Sequence, residues 1–150
     1  MNKIGVSSCL LNKICRYDGK KLNVDISSLL EDYEIIDFCP ELLGGLSCPR
    51  LPCEIINGDG YDVLNNKAQV INSNNEDLSY YFIKGAQLSL DILKKQNIDK
   101  VILKSNSPSC GNNYIYSGNF NNEIKKGIGV CAAYLKNNGI KVLSEKDFNL

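Results

Sequence analysis

Seven cysteines stand in a 150-residue chain that contains no histidine. Without histidine there is no Ser-His-Asp or Cys-His nucleophile system, no His-bound zinc, no HExxH helix and no His-ligated haem. Proton chemistry then falls to Glu, Asp, Lys, Tyr, Cys or water. Three of the cysteines close short apolar runs: Cys9 in Val6-Ser7-Ser8-Cys9-Leu10, Cys39 in Asp37-Phe38-Cys39-Pro40-Glu41, and Cys110 after Lys100–Lys104 in Ser107-Pro108-Ser109-Cys110-Gly111. If those runs are parallel strands of one sheet, the three thiols share its carboxyl edge, where open α/β sheets bind ligands. Spacing alone leaves two readings level: three small buried hydrophobes, or one metal site. Cys131 shares a helical face with Ile128, Ala132 and Leu135 and reads as core. Cys15, Cys48 and Cys53 fall in loops without any CxxC pair and read as bystanders.

Three thiolates suit zinc, copper(I) or an iron-sulfur cluster, and a structural zinc normally takes four ligands. A cubane held by three cysteines leaves one iron open to an outside ligand, which makes it a Lewis acid and invites a sulfur-bearing substrate. Glu41, two residues after Cys39, is then the acid-base candidate, or else a capping carboxylate. Ser107 and Ser109 offer hydroxyls and loop amides to an anion or a sulfide, or close a simple turn. Arginine occurs only at positions 16 and 50, against fifteen lysines. Arg16 and Arg50 mark a need for the planar guanidinium fork, or form ordinary ion pairs to Asp18 or Glu41. Gly44-Gly45 suggests a tight backbone path beneath the site.

These residues need a scaffold that brings strand ends together. Lys3–Leu11, Tyr33–Phe38, Lys100–Lys104 and Ile140–Leu143 are short, near-continuous apolar runs, the pattern of buried parallel strands. Helical periodicity falls weakly on Ile26–Leu30 and more strongly on residues 76–96 and 123–137. In the first long helix Leu78, Phe82, Ala86, Leu90 and Leu93 share a face, and the preceding Asn/Ser cluster supplies caps. The expected fold is α/β: one domain over residues 1–150, a mostly parallel sheet flanked by helices. Asn57-Gly58-Asp59-Gly60 and Asn65-Asn66 separate β-like pieces, which predicts a small antiparallel insertion near 54–71.

Composition narrows the partners. Charged residues are 23% of the chain and the formal net charge is +0. A phosphate backbone rewards a basic footprint, so nucleic acid is not expected as the main ligand, and a small, weakly charged molecule is. No stretch reaches the length of a membrane span, and the N-terminal residues show no apolar signal region. The expectation is a cytoplasmic protein whose thiols are reduced and available. A cluster-free persulfide sulfurtransferase with Cys110 as nucleophile, and a non-enzymatic metal- or cluster-binding protein closed by a fourth thiol such as Cys15 or Cys48, are the rival expectations.

Read together, Val6-Ser7-Ser8-Cys9-Leu10, Arg16-Tyr17-Asp18-Gly19, Cys39-Pro40-Glu41, Gly44-Gly45-Leu46, Pro49-Arg50 and Ser107-Pro108-Ser109-Cys110-Gly111 resemble a bacterial family catalogued as domain of unknown function 523, whose members include thiouracil desulfidase. The resemblance runs from Ile4 to the closing Gly139-Ile140-Lys141-Val142. It implies a 4Fe-4S enzyme that removes sulfur from a thiolated nucleobase or nucleoside without net redox change, with Cys9, Cys39 and Cys110 as cluster ligands. It further implies Glu41 and Ser107 as the acid-base and hydrogen-bonding residues; Ser7, Arg16 and Arg50 are the residues expected to bind the substrate. An aerobically handled sample is expected to lose such a cluster, because an open iron is exposed to oxidants. Ser117 departs from the family pattern, where an acidic residue is expected, and Ser8 replaces a more usual alanine.

Overall fold

A computed structural model describes residues 2–148. In chain order the elements are β1 (Asn2–Ser7), a 3-10 turn (Ser8–Leu10), a second 3-10 turn (Ser27–Leu30), β2 (Tyr33–Phe38) and α1 (Pro40–Leu43). Then come β3 (Cys53–Ile56), α2 (Gly60–Leu64), β4 (Gln69–Asn72), α3 (Ser79–Lys95) and β5 (Lys100–Leu103). β6 (Tyr114–Tyr116), β7 (Ile124–Lys126), α4 (Val130–Asn137), β8 (Lys141–Ser144) and a closing 3-10 turn (Glu145–Phe148) complete the chain.

The four apolar runs form one parallel sheet in the order β2-β1-β5-β8. Their near-continuous hydrophobicity follows from burial on both faces. Val101 and Leu103 pack with Leu90 and Leu93 of α3 and Ala132 and Leu135 of α4. Ile4, Val6 and Ile102 face the other way, against Leu10, Ile26 and Leu30 from the 3-10 turns. Each such side chain contributes about 1.5–3 kcal/mol on burial. The buried β1–β5 pair, rather than the mostly exposed β6–β7 hairpin, therefore sets the rigid floor of the molecule. Chain order reverses between β1 and β5: β2 lies on one side of β1 and β5 on the other. The segments leaving β1 and β5 thus flank a crevice at the carboxyl edge.

The antiparallel insertion is present as β3 paired with β4, but Tyr61–Leu64 between them is helical, not extended. Asp59 and Asp62, three residues apart, form a reciprocal cap. Asp59 Oδ1 accepts the Tyr61 and Asp62 amides, and Asp62 Oδ2 accepts the Asp59 amide at 2.9 Å. Carboxylate capping at both ends of the turn outweighs the hairpin preference of the flanking Asn-Gly residues. The helix expected over 123–137 also splits. Residues 124–126 pair with β6, and the helix begins only at Val130, because Gly127 and Gly129 in a helical turn would cost about 1 kcal/mol each. The long helix starts at Ser79 without a side-chain cap; the Ser79 hydroxyl instead accepts the Val70 amide at 2.9 Å and ties α3 to β4.

One backbone approach matters for the site. α1 crosses α3 where Gly44 meets Gly85: a Cβ on Gly44 would overlap the Tyr81 carbonyl, and one on Gly85 would overlap the Pro40 carbonyl. This contact presses the Cys39-Pro40-Glu41 corner onto the rigid helix. Gly44→Ala should therefore lose about 1–3 kcal/mol through overpacking, read as a drop in thermal midpoint, and should move Glu41 at the same time. An unshifted midpoint would show that α1 is not held by this contact.

Candidate functional site

Each of the three strand-end cysteines is set by local rules. β1 ends at Ser7, and Cys9 sits on the 3-10 turn that follows. Ser8 Oγ donates to Asp37 Oδ2 at 2.7 Å and Lys13 Nζ donates to the same oxygen at 2.9 Å, stitching this turn to β2. Burial pushes the Asp37 carboxyl up, but the hydrogen bonds from Lys13 and Ser8 outweigh it and hold the group below the usual carboxylate range. Cys39 precedes Pro40, which keeps it extended at φ −124°, ψ 109° and starts α1 at the next residue. At Cys110, the Ser107 hydroxyl accepts the Ser109 and Cys110 amides, each at 3.0 Å. The carbonyls of Pro108 and Ser109 in turn accept the Val130 and Ala132 amides, so the cysteine loop caps the first turn of α4.

The three thiols line one cavity of about 160 Å³ at the carboxyl edge, together with Ser7, Arg16, Glu41, Arg50 and Ser107. All eight sequence-predicted site residues are thus brought to one place. Ser7 Oγ receives the Lys104 amide at 3.1 Å and points its own donor at Cys110 Sγ, 3.6 Å away. That bond bridges the β1 and β5 sides of the crevice.

Glu41 and Arg50 are nearly buried, at 14% and 8% side-chain exposure, and form a close ion pair through Glu41 Oε2 and Arg50 Nη2. Arg50 Nη1 also donates to the carbonyls of Cys15 (3.2 Å) and Ser47 (2.9 Å). The guanidinium fork therefore braces Glu41 and two loops while lining the cavity. Arg16 differs. Its ion pair to Asp18 is long, at 3.7 Å, and its side chain is 31% exposed at the cavity wall, leaving donors for a ligand.

Burial and mutual contact keep the cavity thiols in their neutral form. The hydrogen bond from Cys15 and then burial push the Cys39 thiol far up. Burial does the same to Cys110, with Cys131 and Cys39 adding to it. At Cys15 the hydrogen bond to Cys39 pulls down, but the one to Cys9, burial and the Cys9 charge prevail and leave it at about 11. Among the described residues no three Cys, Asp or Glu side chains gather tightly enough for a single ion. Three soft sulfur donors on one cavity are the ligand type that iron-sulfur clusters take. Cys131 lies fully buried among Ala132, Ala133 and Leu135, as core, and burial pushes its thiol to about 12.

Several residues at the wall escape a reading of the sequence. Cys15, a bystander by its loop position, is 4% exposed and lies against Cys9 and Cys39. Cys53 lies on β3 rather than in a loop and also lines the cavity. Cys48 does not; its thiol turns to the Arg16 carbonyl at 3.1 Å. Lys104 sits directly after β5, so the strand-end argument would have found it. Its ammonium is committed to Glu145 Oε2 (3.1 Å) and to the carbonyl and hydroxyl of Ser105. Glu54, Tyr116 and Asn122 reach the wall from the insertion and the β6–β7 hairpin, and no local sequence signal marks them.

A family model described as 2-thiouracil desulfurase matches residues 4–147. The chain is 45% identical over 145 residues, 96% of each partner, to a protein of Bacillus subtilis (strain 168) named uncharacterized protein YbbK. It is also similar to the solved structure of the 4Fe-4S-dependent thiouracil desulfidase TudS, with a TM-score of 0.86 and 35% identity, covering 99% of this chain and 94% of that one. No helix among the described residues is long and apolar enough to cross a membrane.

Proposed function

The chain belongs to the 2-thiouracil desulfurase family, and from that membership and the geometry of the cavity we propose that it hydrolyses the carbon-sulfur bond of a thiolated nucleobase, releasing sulfide and the oxo base. The observation that carries this reading is the convergence of three cysteines from three parallel-strand ends on one cavity that also holds a braced carboxylate. Cys9, Cys39 and Cys110 would hold a 4Fe-4S cluster. When bound, the cluster supplies a Lewis-acidic iron that polarises a thiocarbonyl and accepts its sulfur.

The chain's own residues do the rest. Glu41 Oε2 is pinned by Arg50, which aims the carboxylate, and Oε1 is left to take a proton from water as that water attacks the thiocarbonyl carbon. Ser107 Oγ accepts two amides, so its hydrogen remains to donate to the base or to the departing sulfur. Arg16 contacts the substrate at the cavity mouth, and Ser7 supports Cys110. The balance is closed by water alone: a thiocarbonyl and one water give a carbonyl and one hydrogen sulfide. Both water protons end on the sulfur, the first by way of Glu41 and the second, from the added hydroxyl, by the same carboxylate once it has delivered the first. Residues 1–150 act as one desulfidase-like domain in the cytoplasm, and the neutral surface favours a free base or nucleoside over a thiolated tRNA.

The rival sulfurtransferase chemistry requires a Cys110 thiolate without a cluster. Cys110 is 6% exposed, whereas a reactive thiol sits where solvent and substrate reach it. Anaerobic reconstitution with iron and sulfide tests the reading. A brown protein with cluster absorbance that releases sulfide from 2-thiouracil or 4-thiouracil supports it. A brown protein that releases none from either overturns it in favour of a non-enzymatic cluster protein.

A further inference from the structure

Glu54 is a buried carboxylate that the mechanism above does not use. It stands on β3 at 7% exposure, and among the described residues no lysine or arginine forms an ion pair with it. Its Oε1 instead accepts the backbone amides of Gly118 at 2.8 Å and Phe120 at 3.3 Å. A desolvated carboxylate is costly unless hydrogen-bonded, and charge-assisted bonds from two amides offset that cost. The result is a clasp between β3 and the 117–123 loop of the β6–β7 hairpin.

The loop it holds is strained. Phe120 has φ +54° and Asn122 φ +63°, while Gly118, at φ +94°, takes a conformation open to glycine. A left-handed phenylalanine is uncommon and persists only where its surroundings over-determine it, a pattern concentrated at ligand clamps. Gly118 also lies so close to the Ile55 carbonyl that a Cβ would stand 2.7 Å from it. The same hairpin brings Tyr116 and Asn122 to the wall of the cysteine cavity. Tyr116 offers a flat aromatic face to a heteroaromatic ring. Asn122 offers an acceptor and two donors, which match an edge that alternates N–H with C=O or C=S.

We propose that the β6–β7 hairpin is the base-recognition wall of the site, with Tyr116 packing on the ring, Asn122 reading its edge, and Glu54 acting as the positioning residue that fastens the hairpin. This inference rests on the desulfidation reading for its choice of ligand. It assigns specificity to a segment outside the three cysteine-bearing loops.

The test uses the reconstituted protein with Asn122→Ala, Tyr116→Ala, Tyr116→Phe, Glu54→Ala and Glu54→Gln. The readouts are KM and kcat for 2-thiouracil and 4-thiouracil, the inhibition constant of uracil, cluster absorbance, and amide hydrogen exchange at Gly118 and Phe120. Asn122→Ala and Tyr116→Ala should raise KM and the uracil constant roughly ten-fold, the worth of one lost polar or stacking contact. Cluster absorbance should stay unchanged and kcat should stay within about three-fold, as expected for lost ground-state binding. Tyr116→Phe, which keeps the ring, should raise KM less than Tyr116→Ala. Glu54→Ala should speed exchange at both amides and raise KM, and Glu54→Gln, whose amide oxygen still accepts, should fall between. Parent-like KM and uracil constants in both Asn122→Ala and Tyr116→Ala would overturn the wall. Fast exchange in Glu54→Ala with unchanged KM would overturn the clasp. If Glu54→Ala does not fold, Glu54→Gln and the hairpin variants decide. If the parent releases no sulfide, the desulfidase reading falls separately. Calorimetry with uracil then judges the wall: binding weakened about ten-fold by Asn122→Ala supports it, and no binding by the parent overturns it.

Discussion

Replacing Cys9, Cys39 or Cys110 singly by serine is expected to remove most of the iron that the reconstituted parent retains, and with it sulfide release. The three thiols come from three separate segments, the turn after β1, the residue before α1 and the loop after β5, so each variant removes the one donor its segment brings to the proposed ligand set. Serine keeps the shape but replaces a soft, ionisable sulfur with a hydroxyl that does not ionise near neutral pH. Even residues that only orient a metal ligand are worth about ten- to a hundred-fold in affinity or activity, so removing a ligand should exceed that. Cys131→Ser is the internal control. Its side chain is buried in the α3–α4 core beside the Ser89 hydroxyl, and it should keep iron while losing some stability. Cys15→Ser is the sharper control, because that thiol lies against both Cys9 and Cys39. Iron retained in Cys15→Ser and lost in the other three fixes the ligand set. Full iron in Cys39→Ser would sink it. Iron content and visible absorbance under anaerobic conditions are the measurements.

Much of this architecture is legible in the sequence because it depends on patterns that short windows carry. Strands buried on both faces read as apolar runs, and Tyr33–Phe38 matches β2 residue for residue. Three cysteines at three run ends are enough to locate the edge on which the site forms. What is not legible depends on pairing across the fold. The Asp59/Asp62 cap looks like turn punctuation until it is seen as a reciprocal pair. The 124–126 segment carries a helical pattern, yet it is recruited as β7 by a partner eight or more residues away. Arg50 reads equally as a ligand fork or an ion pair, and its bonds to Glu41, Cys15 and Ser47, which come from three separate stretches of chain, appear only in the fold. Glu54 carries no signal at all, since a glutamate on a short strand ordinarily faces solvent, and its partners are backbone amides more than sixty residues away.

The brace makes the chemistry at Glu41 separable from its placement. Glu41→Gln keeps the length, the planar head and an oxygen that still accepts from Arg50, but removes the ionisable carboxylate. Arg50 also keeps its bonds to the Cys15 and Ser47 carbonyls, so the pocket should remain assembled. The lost charge-assisted bond should cost roughly 1.5–3 kcal/mol of stability. If Glu41 moves the proton, this variant assembles a cluster with parent-like absorbance and leaves KM for thiouracil nearly unchanged. Turnover then falls by about a hundred-fold or more, the contribution of a positioned acid-base group. Arg50→Lys tests placement instead. One ammonium on a flexible stem does not reproduce a fork that reaches a carboxylate and two carbonyls at once, so turnover should fall by less than in Glu41→Gln, and the thermal midpoint by more. Near-parent turnover in Glu41→Gln with an intact cluster would take the carboxylate out of the reaction. The ion pair would then be a structural clamp on α1, and Ser107 would be the next protic side chain to test for serving the departing sulfur.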